Sequence, residues 1–119
     1  MAKKLLVVIT EPAAHDKATV ALTIAYASLS AGMEVALFVT ADGVDLARHG
    51  NADLAHFRPF KPLSELLDSF VAGGGKILAC GSCWQHRGMK DSDLAEGASI
   101  SGVAAVVEWL QAGAQTLCF

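Results

Sequence analysis

The chain has 119 residues, 53% hydrophobic, 18% charged and 7% aromatic, with a formal net charge of −3. That length fits one domain over residues 1–119, burying roughly two-thirds of the unfolded chain's surface. The balance excludes intrinsic disorder, and the mild acidity leaves no electrostatic footprint for direct binding of nucleic acid or anionic lipid.

Residues 4–10 form a Leu and β-branched run without polar alternation, the pattern of a strand covered on both faces. Met1-Ala2-Lys3-Lys4 ahead of it resembles a signal peptide only faintly, because the apolar run is too short for an h-region. The turn 11–16 (EPAAHD) follows, with Asp16 as the expected N-cap of a helix over 18–31 that is apolar nearly all round and ends at Gly32. Residues 34–40 (EVALFVT) read as a second strand. Ala41-Asp42-Gly43 turns into a short helix at 44–49, and 51–61 is irregular. Pro62 suits the first turn of a helix whose stripe is Leu63, Leu66, Leu67, Phe70 and Val71, stopped by Gly73-Gly74-Gly75. Residues 76–80 (KILAC) are a third strand, and a turn of helix at 82–87 ends at Gly88. Residues 89–98 read as polar loop. A helix over 102–112 carries Val103, Val106, Val107 and Leu110 on one face, and 115–119 (QTLCF) close as a last strand.

Strands alternating with helices imply parallel crossovers and an α/β fold: a three-layer α/β/α sandwich with a mainly parallel sheet and flavodoxin- or Rossmann-like topology. The turns after Thr10, Thr40 and Ala79 then share the carboxyl edge, where such sheets bind ligands. That edge brings Glu11, His15, Asp42 and Cys80 within reach of one another. The longest charge-free stretch, 18–33, falls short of the ~20 apolar residues of a membrane span, so a cytoplasmic protein is expected. A helix apolar nearly all round also predicts a neighbouring subunit over part of it, hence a homo-oligomer.

Three cysteines without a secretory signal argue against a disulfide framework. Cys80-Gly81-Ser82-Cys83 falls where a strand ends and a helix begins, and the amides there favour a thiolate. His86 and Arg87 could add positive potential. Such a thiol could exchange disulfides, reduce peroxide or transfer sulfane sulfur; the plainer alternative is that both cysteines only pack. Cys80-x2-Cys83-x2-His86 supplies three metal ligands, but structural zinc wants four, so neither metal nor cofactor is expected. Cys118, between Leu117 and Phe119, is expected to pack in the core. Gly73–Lys76 is no phosphate loop, because its glycines end a helix and open a strand. His15 reads as a loop histidine; His49 and His56 carry no assignment. Trp109 lies off the apolar stripe of its helix, and Asp91, Asp93 and Glu96 form a solvated acidic loop.

From KILAC to the end the chain resembles the DsrE/DsrF-like family. The features carrying this are a strand ending in Cys80, Arg87-Gly88 seven and eight residues on, an acidic loop at 91–96, an apolar helix and a terminal strand. KLLVVIT, the Ala-rich helix and EVALFVT fit in the same order. The resemblance implies a DsrE-like fold in a small cytoplasmic protein forming trimers or hexamers. It implies a sulfur relay in which Cys80 carries sulfane sulfur as a persulfide between donor and acceptor proteins, with Arg87 as candidate anion stabiliser. Cys83 departs from the single-cysteine relay pattern. As a resolving thiol it would instead make a thiol oxidoreductase or peroxiredoxin-like protein of the pair, and a non-catalytic oligomeric binding subunit is the third reading.

Overall fold

The computed structural model describes residues 2–119. Five strands form one parallel sheet: β1 (Lys4–Ile9), β2 (Glu34–Val39), β3 (Lys76–Cys80), β4 (Ala98–Ser101) and β5 (Gln115–Cys118), in the order β4-β3-β2-β1-β5. Four helices connect them: α1 (Asp16–Ser30), α2 (Leu63–Ala72), α3 (Gly81–His86) and α4 (Val103–Gln111). A 3-10 segment, Ala41–Ala47, follows β2.

The first four strands step in one direction across the sheet, so right-handed crossovers put α1 and α2 on the same face. The crossover from β4 to β5 runs back the other way and puts α4 opposite. The alternation of side chains along each strand matches. Leu5, Val7, Ile9, Val35, Leu37, Val39, Ile77 and Ala79 meet α1 and α2 in the larger core cluster, while Leu6, Ala36 and Phe38 meet Val106 and Trp109 of α4 in the smaller one. This is the expected doubly wound sandwich, with its reversal between β1 and β5.

The α2 stripe is buried as its spacing predicts: Leu63, Leu66, Leu67 and Phe70 face the sheet. Phe70 is fully buried, and a Cβ on Gly75 would lie 2.4 Å from its ring. Glycine is therefore what lets the chain pass beneath that ring into β3.

Five local expectations are corrected. The N-cap of α1 is His15 and not Asp16: His15 Nδ1 accepts the Lys17 N–H at 3.1 Å, and Asp16 is already the first helical residue. The loop expected over 89–98 gives way at Ala98 to an unforeseen edge strand, β4, paired with β3 from Ile77↔Ala98 to Cys80↔Ser101. Cys118 is exposed, because β5 is an edge strand lying beyond the cover of the helices. In α4 the sheet-facing residues are Val106 and Trp109, whereas Val103, Val107 and Leu110 face outward at 71%, 43% and 47% exposure. That helix has apolar residues on two sides, and periodicity alone could not say which meets the sheet. By contrast, α1 buries only a stripe of Ala18, Thr19, Ala21, Leu22 and Ala25. The larger uncovered apolar surface therefore belongs to α4, not to α1.

Candidate functional site

The carboxyl edge is stitched together by bonds between loops far apart in sequence. Ala13 N–H donates to Asp45 Oδ1 at 2.8 Å, tying the β1 turn to the 3-10 segment. Burial pushes the Asp45 carboxyl above the ordinary carboxylate range, against the opposing effect of that bond. Thr40 N–H donates to Ile9 O at 3.0 Å, extending the β1–β2 pairing to the loop. The chain then turns sharply, with Ala41 in the left-handed region at φ 51. For a residue with a side chain this conformation is strained, and such strain is often held at functional sites.

What the turn achieves is visible at Cys83. Ala41 N–H donates to Cys83 Sγ at 3.3 Å, and Thr40 Oγ1 lies 3.4 Å from the same sulfur. A thiolate accepts from both. These bonds draw the Cys83 thiol below its ordinary value, Thr40 contributing most and Ala41 next; burial opposes them, and Cys80 and the Arg87 charge add smaller effects. The donors to Cys83 come from the loop after β2. Thr40 and Ala41 were missed by sequence reading. The only signal was the Asp42-Gly43 turn at the end of a strand, which marks the place but not the donors.

Cys80 ends β3 as the N-cap of α3, half-buried against both core clusters. Cys83 stands one helical turn further on. Trp84, 3% exposed, plugs α3 into the larger core, and Met89 N–H bonds to its carbonyl. Arg87 closes the helix: Nη1 donates to Cys83 O at 3.4 Å and Nη2 to Asp42 Oδ1 at 2.9 Å. The Asp42 carboxylate raises the Arg87 pKa still further, so its charge is permanent.

Of the residues expected to share this edge, Cys83, Asp42 and Arg87 come together with Cys80 beside them. Glu11 and His15 pair with each other at 3.8 Å at the start of α1, where His15 serves as the cap. His86 is exposed in the last turn of α3. Among the described residues, no group of three or more His, Cys, Asp or Glu side chains comes together to hold a metal. No described helix is long and apolar enough to cross a membrane.

The sequence matches a known family profile over residues 3–119. The chain belongs to the DsrE/DsrF-like family. Two relatives, both described as uncharacterised, are similar along nearly their full length. MK0008 of Methanopyrus kandleri is 32% identical over 95% of this chain and 91% of its own. MJ0989 of Methanocaldococcus jannaschii is 29% identical over 98% and 99%. Two solved structures carry the same fold. The ychN protein from E. coli superposes with a TM-score of 0.82 at 20% identity, covering 100% of both chains. MTH1491 from Methanobacterium thermoautotrophicum, of unknown function, gives 0.75 at 19% identity over 98% of this chain and 99% of its own.

Proposed function

We propose that this DsrE-family protein relays sulfane sulfur, carried as a persulfide on Cys80, from a donor protein to an acceptor protein. The observation that carries the reading is a thiol pair at the carboxyl edge, one sulfur of which is held by two hydrogen-bond donors beside a fixed guanidinium. A persulfide is more acidic than a thiol, and handing its outer sulfur to an acceptor thiolate leaves the carrier cysteine as a thiolate, so a site that stabilises negative sulfur suits it. Arg87 supplies positive potential along that path. The family resemblance supports sulfur as the cargo, a cytoplasmic setting and work as a homo-oligomer. The outward stripe of Val103, Val107 and Leu110 on α4 is the surface for a second copy. Nucleic acid is not a direct partner, given the net charge of −3.

The test is the intact mass of the protein after incubation with a persulfide donor. The expected result is a gain of one sulfur atom, which fragment mass places on Cys80 at long times. No gain in the wild-type chain refutes the relay. A second reading draws on the same pair, since cysteines one turn apart can close a disulfide. In that thiol oxidoreductase, Cys83 resolves an oxidised Cys80. A reversible loss of two hydrogens, with no sulfur gained, would favour it over the relay.

A further inference from the structure

We infer that Cys83 is the loading thiol of this site: it takes sulfur from the donor first and passes it to Cys80, with Thr40 as the positioning residue that holds its sulfur. The inference rests on the relay reading and divides its work between two cysteines. The structure treats the two sulfurs differently. Cys83 Sγ faces the Ala41 N–H at 3.3 Å and Thr40 Oγ1 at 3.4 Å, whereas no backbone or hydroxyl donor among the described residues reaches Cys80 Sγ. The donors are fixed in advance. Ala41 is held at φ 51, and the Thr40 backbone is pinned by its bond to Ile9 O. Pre-set donors stabilise charge without reorganising when it forms.

The chemistry balances in two steps. In the first, the Cys83 thiolate attacks the outer sulfur of a donor persulfide, R–S–SH. The Cys83 S–S bond forms, the donor S–S bond breaks, and the donor leaves as R–S⁻ with the electron pair. In the second, Cys80 gives its proton to solvent, and its thiolate attacks the outer sulfur of the Cys83 persulfide. The Cys80 S–S bond forms, and Cys83 leaves as a thiolate. No net oxidation occurs in either step. The direction follows from the donors: a better-stabilised thiolate is the better leaving group, so Thr40 and Ala41 favour departure of sulfur from Cys83. The same stabilisation keeps Cys83 ionised for the first attack. Cys80, at the end of β3, is left holding the cargo.

The experiment uses the full chain and glutathione persulfide, quenched with iodoacetamide at short times and read by intact and fragment mass. Cys80→Ser is expected to load at the wild-type rate, on Cys83. Cys83→Ser is expected to load slower by about tenfold or more, the scale of one lost charge-assisted hydrogen bond. At long times, wild type is expected to carry its sulfur on Cys80. Thr40→Val is expected to move the pH midpoint of Cys83 alkylation upward, which a merely structural role would not do. Loading of Cys83→Ser at the wild-type rate overturns the inference while leaving the relay intact, and wild-type sulfur that stays on Cys83 overturns both the inference and Cys80 as the carrier. Absence of sulfur from every form removes the relay itself. If Cys83→Ser does not fold, an unmoved midpoint in Thr40→Val overturns the inference by itself.

Discussion

Gly43 tests whether the loop after β2 sets the reactivity of Cys83. A Cβ at this position would lie 2.2 Å from the Ile9 carbonyl oxygen and 2.9 Å from its carbon. Ordinary contact begins near ~3.4 Å, so the segment Ala41–Ala47 must retreat by about 1 Å in Gly43→Ala. The Ile9 oxygen cannot swing aside cheaply, because it accepts the Thr40 N–H at 3.0 Å. A retreat of that size stretches the 3.3 Å contact between Ala41 N–H and Cys83 Sγ out of hydrogen-bond range. Overpacking of this kind costs about 1–3 kcal/mol. The variant should therefore unfold at lower urea, and Cys83 should alkylate about tenfold more slowly at neutral pH, having lost one charge-assisted bond. Urea titration and peptide-resolved labelling with iodoacetamide measure the two effects. An unchanged urea midpoint refutes the steric argument. Lowered stability with wild-type labelling of Cys83 refutes the loop as its holder.

Three further outcomes are expected. Gly75→Ala should destabilise by driving a methyl into the Phe70 ring, and Phe70→Ala alone should cost about 3–5 kcal/mol. Combining Gly75→Ala with Phe70→Leu should recover part of the loss, and strict additivity in a urea double-mutant cycle would contradict the contact. Burial raises the Asp45 carboxyl, so the folded chain holds that proton longer than the unfolded chain, and stability falls as pH rises from the ordinary value of 3.8 through the raised one. Asp45→Asn should flatten that slope and match or exceed wild type at neutral pH, while Asp45→Ala, which orphans the buried Ala13 N–H, should lose about 1–3 kcal/mol. Stability curves for wild type and Asp45→Asn that stay parallel with pH would rule this out. Val107→Glu should lower the solution mass by light scattering and change the stability of the folded chain by under about 0.5 kcal/mol. A wild-type monomer at micromolar concentration would refute the subunit contact on α4.

The layered fold was legible because its signals are local. The α2 stripe and the three apolar strands KLLVVI, EVALFV and KILAC each declare their own period. β4 was not legible, because ASIS is four residues long, half polar, and a strand only by pairing with β3. The orientation of α4 was lost for a related reason: Val106 and Trp109 compete with Val103, Val107 and Leu110, and only the sheet decides between them. At the site, the chemistry-bearing side chains Cys80, Cys83 and Arg87 could be named from the sequence. Their environment could not. The donors to Cys83 lie 42 and 43 positions away and one is a backbone amide, which leaves no mark on residue type.

The strand order also governs how the chain can assemble. β1 to β4 dock one after another, each beside its predecessor, so four strands can pair as the chain emerges from synthesis. β5 must return past all of them to reach β1, and the Thr10–Phe119 bond that seals this pairing spans 109 positions. α4 arrives on the same crossover. Until then Leu6, Ala36 and Phe38 stand uncovered on the second face, an adhesive surface open for the duration of the wait. The final crossover thus both completes the sheet and ends the interval in which the nascent chain is most prone to aggregate.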